Sequence, residues 1–267
     1  MKRFALVILS VCVLLCAFCF SSLAAKTGDV DGDNTVKAGD ARLILRAAVG
    51  LEKFDAVKTL LGDIDFDGKL TAGDARLALR GAVGLEKVPS KAYANEYEAF
   101  ADGHFSADIT GAIGEYNETM ALAVTEDSIY TGMDMEGMSL TVLMNSKGQY
   151  LIFDKEKIYS PLSDDFLAAM GMTKDDLKEI DSLAGTYRPL SEANSTSSGT
   201  VDDISCTVYT FRYDGYFTDV YMNGKKLMAI VDYNDSYEEE TFFENFSVYV
   251  PAERYEVPAD YTAESIF

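Results

Sequence analysis

With 267 residues, 48% of them hydrophobic, the chain has enough apolar material for one or two packed domains, which excludes a disordered or fibrous chain. Its 44 Asp and Glu outweigh 23 Lys and Arg for a net charge of −21, a field that repels nucleic acid and anionic membranes. Residues 95–267 hold 33 acids against 10 bases while residues 25–94 hold 11 of each, so the excess acid belongs to the C-terminal part and keeps its surface solvated.

In chain order, "MKR", the apolar run "FALVILSVCVLLCAFCF" and the small-residue site "SSLA" read as a secretory signal peptide over residues 1–24, cleaved after Ala24. The alternative is a retained N-terminal anchor helix, since the run is about the length of a membrane span. Cys12, Cys16 and Cys19 leave with the peptide. Only Cys206 remains, so no internal disulfide forms, and export without disulfides points to a bacterial surface or culture fluid. In the strand-like "DISCTVYTF", Cys206 reads as a small core residue rather than a reactive thiol.

Next comes a duplication. Asp29–Lys53 and Asp63–Lys87 match at 17 of 25 positions. In each copy aspartates stand at loop positions 1, 3, 5 and 12: Asp29, Asp31, Asp33 and Asp40, then Asp63, Asp65, Asp67 and Asp74. That spacing marks a calcium loop of the EF-hand type, in which alternate side chains turn inward around the ion. Carboxylates held about 4 Å apart repel by about 4 kcal/mol per pair at an effective dielectric near 20, and a hard cation reverses the sign. Position 6 requires a left-handed turn and carries Asn34 and Gly68. Position 7, Thr35 and Lys69, offers a backbone carbonyl, and Val36 and Leu70 at position 8 are expected to meet inside the module. At position 9 Thr71 can ligate through water and Lys37 cannot, so the first of two calcium sites is expected to be the weaker. Position 12 is Asp where an ordinary EF-hand has Glu. No helix precedes the first loop.

After each loop the spacing predicts a helix, "AGDARLILRAAVG" and "AGDARLALRGAVG", with Ala41, Leu45 and Ala48 on one side and Gly50 or Gly84 as the stop. "FDAVKTLL" reads as a third, short helix. A module of this size is marginal by burial alone, and two ions supply the missing folding energy. Residues 28–87, with the "GDxDxDG" loop opening, Asp at position 12 and the "LRxAVGLE" helix, resemble a type I dockerin. The resemblance implies calcium-dependent binding to a cohesin on a scaffoldin or cell-surface protein, as in cellulosome-type, polysaccharide-degrading assemblies. The near identity of the halves implies docking on either one after a half-turn. By the same resemblance the partner is read by Ala38, Gly39, Leu45 and Arg46 in the first copy and by Ala72, Gly73, Leu79 and Arg80 in the second. This chain departs from the family's frequent Ser-Thr and basic residues there. Arg42 and Arg76 join Arg46 and Arg80 as candidate contacts. The alternative is a structural calcium clamp with no cohesin partner.

The expected division is a dockerin over 25–88, with repeats at 29–50 and 63–84, a linker over 89–94, and an acidic β-rich domain over 95–267. "AYANEYEAFA" reads as a short leading helix, and alternating segments such as "MSLTVLMN", "SCTVYTFRY" and "KLMAIVDY" predict an antiparallel sheet of seven to nine strands. "SDDFLAAMGMTKDDLKEIDSLAG" reads as a helical insertion and "SEANSTSSGTVDD" as a polar loop. The fold class is therefore multidomain, all-α then α+β. The order of "YLIFDKEKIYSPL", "VYTFRYDG" and "VYMNGKKLMAIV" is similar to the half β-barrels of the lipoprotein-carrier superfamily. That likeness implies an apolar concavity for a hydrophobic ligand, and the 16 Tyr leave a glycan ligand open. The alternative is that Met133, Met135, Met138 and the Tyr-rich strands are simply core. No catalytic constellation is legible: His104 is alone, and 33 acids allow any carboxylate pair to be proposed for glycoside hydrolysis. The chain thus reads as a non-catalytic docked component, with a dockerin-tethered carbohydrate-active hydrolase as the alternative.

Overall fold

The computed structural model describes residues 25–113, 116–135, 138–163 and 187–264. The expected signal peptide and the expected helical insertion lie outside the described residues.

Helix α1 spans Ala38–Ala48, α2 Ala56–Gly62 and α3 Ala72–Ala82. Each long helix starts where its loop ends. The Lys37 and Thr71 amides donate to Asp40 Oδ2 (2.9 Å) and Asp74 Oδ2 (2.8 Å), so the twelfth loop residue also caps the first helical turn. Both helices close through a left-handed glycine, Gly50 or Gly84, as the sequence predicts. Helices α1 and α3 pack together over Ala41, Ile44, Ala75 and Ala78, with Val30, Leu61, Ile64 and Phe66 filling in from the loops and α2. The core side of α1 therefore differs from the expected one. Ile44 is buried and Leu45 is exposed, because the buried arc of Asp40, Ala41 and Ile44 is centred close to Ile44, and Leu45 stands about 100° round the helix from it.

Strand β1, Glu86–Lys87, leaves this module and pairs antiparallel with β13, Val250–Pro251. The stretch expected as a linker is packed: Tyr93 is buried, its Oη donates to Asp102 Oδ2 (2.6 Å), and the Ala92 amide donates to Ala25 O (2.7 Å). Helix α4, Glu96–Asp102, follows, opened by Asn95, whose side chain accepts from the Glu98 amide (2.9 Å).

Strands β2 (Phe105–Ile113), β3 (Tyr116–Thr125), β4 (Ser128–Met135), β5 (Met138–Asn145), β6 (Gly148–Phe153) and β7 (Ile158–Pro161) form an antiparallel meander. A second meander runs through β8 (Ser195–Val201), β9 (Ile204–Arg212), β10 (Phe217–Asn223), β11 (Lys226–Tyr233) and β12 (Glu238–Ser247). Pairing of β12 with β2 joins them, and β14 (Thr262–Ala263) adds to β7 in parallel, for a sheet of 12 strands among the described residues. This exceeds the expected seven to nine. "STSSGTV" in the expected polar loop is edge strand β8, whose hydrogen bonds to β9 need no apolar side chains. "FSADITGAI" is β2, in which Phe105, Ala107 and Ile109 alternate with Ser106, Asp108 and Thr110, a pattern that the expected strand segments passed over.

Helix α4 covers one face of the sheet, with Phe100 set 5.3 Å from Phe105 and 5.2 Å from Phe243, and Tyr97 6.4 Å from Phe211. Glu96 is buried at its start and accepts from the Leu227 amide (2.7 Å). Burial pushes its carboxyl pKa up from the ordinary 4.5 to about 7, against the pull of that amide and of Lys226. A folded-state pKa above the unfolded one means that this group's stability is fully present below pH 4.5 and is lost as pH rises through 7. The Glu96→Gln variant keeps the acceptor and discards the charge. It is expected to be more stable than the parent by roughly 1–3 kcal/mol at pH 8 and no more stable near pH 4. Denaturant melts at the two pH values check this, and a gap independent of pH would refute it.

Candidate metal centre and docking face

Both loops fold as successive turns in which a carboxylate accepts from a nearby amide. Asp31 Oδ1 accepts from Asp33 N (3.1 Å) and Asp33 Oδ1 from Thr35 N (3.0 Å); Asp65 and Asp67 repeat this with Asp67 N (3.1 Å) and Lys69 N (2.8 Å). The left-handed residues at position 6 are Asn34 (φ 67°) and Gly68 (φ 82°), as the sequence predicts.

The position-1 and position-12 aspartates are buried in both copies: Asp29, Asp40, Asp63 and Asp74 are at most 1% exposed. Asp40 Oδ1 accepts from the Val30 and Asp31 amides, each at 3.1 Å, and Asp74 Oδ1 from those of Ile64 (2.8 Å) and Asp65 (3.4 Å). Burial raises the carboxyl pKa of Asp40, and burial likewise raises that of Asp65. In the first loop oxygens of Asp29, Asp31 and Asp40 all lie within 4.8 Å of one another, and in the second those of Asp63, Asp65 and Asp67 do. Asp33 stands outside the first group, paired with Lys37, and that ion pair holds its carboxyl pKa below the ordinary value. Asp74 stands outside the second, with Oδ2 taken by the Thr71 amide and hydroxyl (3.0 Å). The Thr35 and Lys69 side chains are exposed, which leaves their role to the backbone.

Hard oxygen donors, close together and partly buried with too few cationic partners, fit a divalent cation of the calcium type. Asp29, Asp31 and Asp40 would hold one ion and Asp63, Asp65 and Asp67 another. A bound ion supplies positive charge that lets the buried carboxylates stay ionised.

The residues singled out for partner reading are placed less uniformly. Ala38, Gly39, Arg42, Leu45, Arg46, Ala72, Arg76 and Leu79 are exposed, whereas Gly73 and Arg80 are half-buried. Arg46 reaches Leu51 O (3.2 Å) and Glu52 (3.4 Å). Arg80 binds Glu86 at 2.5 Å, and the Glu86 side chain is only 5% exposed, so the second arginine is held inward by the strand that contacts the sheet. Sequence reasoning missed Val49, Leu51, Val83 and Leu85, which stand exposed beside Leu45 and Leu79. Their signal was present in the duplicated "AVGLEK", which reads as a helix stop.

Other expected features resolve simply. His104 is buried, and burial lowers its pKa, which keeps the imidazole neutral. Cys206 is buried with its thiol pKa raised by burial, the opposite of an activated nucleophile. A cleft of about 520 Å³ crosses the sheet over Ala121, Gly132 and Thr141 and is rimmed by Asp108, Asp134 and Asp154. Its polar rim differs from the apolar concavity that the half-barrel resemblance implies.

No curated protein matches this chain. Among solved structures, one titled "Crystal structure of MucB" is similar over 62% of this chain and 61% of that chain, at 13% identity and a TM-score of 0.34. The chain thus spans less than two thirds of that structure, and a likeness at this score carries no argument. The family model described as "Dockerin type I domain" matches residues 27–80. Residues 27–80 of this chain are therefore a type I dockerin domain, a kind of domain that binds calcium and docks to cohesins.

Proposed function

We propose that this chain is a secreted component of a cellulosome-type assembly. Its dockerin, residues 25–88, takes up two calcium ions and binds a cohesin, and it carries an acidic, non-catalytic β-rich domain, residues 95–267, to that partner. The observation that carries the reading is a doubled set of exposed apolar side chains at the C-terminal ends of α1 and α3 and just beyond them. Leu45, Val49 and Leu51 are 44%, 62% and 66% exposed, and Leu79, Val83 and Leu85 are 46%, 60% and 49% exposed. Six exposed apolar side chains on so small a module favour a protein partner, and their equal pairing favours one that engages either copy. Arg42 and Arg76, equally placed and exposed, supply charge at its edge.

Two equivalent modes have a plain numerical consequence. Either Leu45→Asp or Leu79→Asp alone is expected to weaken cohesin binding about twofold, by removing one of two modes, and the double variant about 100-fold or more. Calorimetry of the full chain against type I cohesins in calcium reads this out. Undiminished binding by the double variant would overturn the docking face, and silence from every cohesin would favour a calcium clamp.

A further inference from the structure

The second calcium loop holds a cation from elsewhere in the chain. Strands β10 and β11 are joined by a two-residue turn, Gly224–Lys225, and the Lys225 Nζ lies 2.6 Å from Asp63 Oδ2, 162 positions away along the chain. Asp63 is the position-1 aspartate, and its side chain is 2% exposed. The turn is fixed from behind. The Glu96 amide donates to Lys225 O (3.0 Å), the Glu96 carboxyl accepts from the Leu227 amide (2.7 Å), and the ammonium stands 6.0 Å over the Phe66 ring. In the first loop the Gly32 and Asn34 amides, each at 2.8 Å, serve the two oxygens of Asp29. In the second loop the Gly68 amide (3.2 Å) serves one oxygen of Asp63, and Lys225 takes the other.

We propose that Lys225 is a built-in competitor for calcium at the second loop: its ammonium neutralises Asp63 when the ion is absent and is displaced when calcium enters. This rests on the calcium reading above and goes beyond it, because it makes loading of the second loop sensitive to how the β10–β11 turn is docked. A divalent ion among Asp63, Asp65 and Asp67 and an ammonium on Asp63 repel each other, so one leaves or both bind weakly. The Lys225 side chain, 32% exposed, has solvent to move into. The loop that looks stronger from position 9, where Thr71 stands in place of Lys37, thereby carries a handicap of its own.

The test uses the full chain with the first loop disabled by Asp31→Ala and Asp33→Ala, so that calcium uptake reports the second loop. Adding Lys225→Met is expected to tighten calcium binding about tenfold or more in calorimetric titration, and Lys225→Arg to leave it near the parent value. Independently, acetylation of Lys225, followed by mass spectrometry in the chain with both loops intact, is expected to be slow in chelator and faster in calcium. Equal or weaker affinity in the Met variant, or a labelling rate indifferent to calcium, overturns the inference while the calcium reading stands. If no variant takes up calcium, both fall.

Discussion

Withdrawing calcium from the full chain is expected to lower the first calorimetric transition by about 10 °C or more. An ion at 1,000 times its dissociation constant stabilises the folded state by about 4 kcal/mol per site, and each kcal/mol moves a domain of this size by several degrees. The physical cause is the burial of Asp29, Asp40, Asp63 and Asp74, each at most 1% exposed. The amides of Val30, Lys37, Ile64 and Thr71 stabilise the anions at position 12, and Lys37 and Lys225 neutralise one carboxylate in each loop. The remaining oxygens still repel without an ion. Scanning calorimetry in calcium and in chelator, at matched ionic strength, decides the matter, and superimposed traces would remove the metal centre. Because Tyr93, Val248 and Tyr249 share the core of α1 and α3, the transition in calcium is expected to involve the sheet as well.

The second large effect concerns Tyr249, at the joint between dockerin and sheet. It is 1% exposed, donates from Oη to Thr27 O (2.8 Å), and fills space that two glycines leave. A Cβ at Gly28 would stand 2.0 Å from its Oη, and one at Gly81 would stand 2.6 Å from its Cε1. Gly81 occupies the place that Ala47 holds in the first copy, so one of the few differences between the copies is explained by a residue from beyond the repeats. Tyr249→Ala is expected to cost about 3–5 kcal/mol, as for other large aromatic truncations in a core, and to separate the melting of the two parts. Tyr249→Phe, which gives up only the hydrogen bond, is expected to cost about 1 kcal/mol. Denaturant unfolding followed by circular dichroism measures both. A cost under 1 kcal/mol for the alanine variant would mean that the joint contributes little to stability.

Much of this molecule is local and therefore legible in order along the chain. The alternating aspartates, the left-handed residue at position 6, the caps at position 12 and the helix stops at Gly50 and Gly84 each follow from interactions within about ten residues. The type I dockerin could accordingly be read from residues 28–87 alone, and most of the strands from alternation, although β2, β4 and β8 went unread. What the sequence could not disclose was long-range. That Lys225 meets Asp63, that Tyr249 fills the space beside Gly28 and Gly81, and that pairing of β1 with β13 buries Glu86 while Glu52, its equivalent in the first copy, stays exposed all depend on contacts closed by the tertiary fold. No periodicity encodes such a pairing, because the energy that makes it is surface burial and charge neutralisation between segments whose spacing along the chain is arbitrary. The sequence by itself determined the spacing of the oxygen donors in each loop. Only the packing of the sheet against the dockerin decided that the two nearly identical loops would have different neighbours.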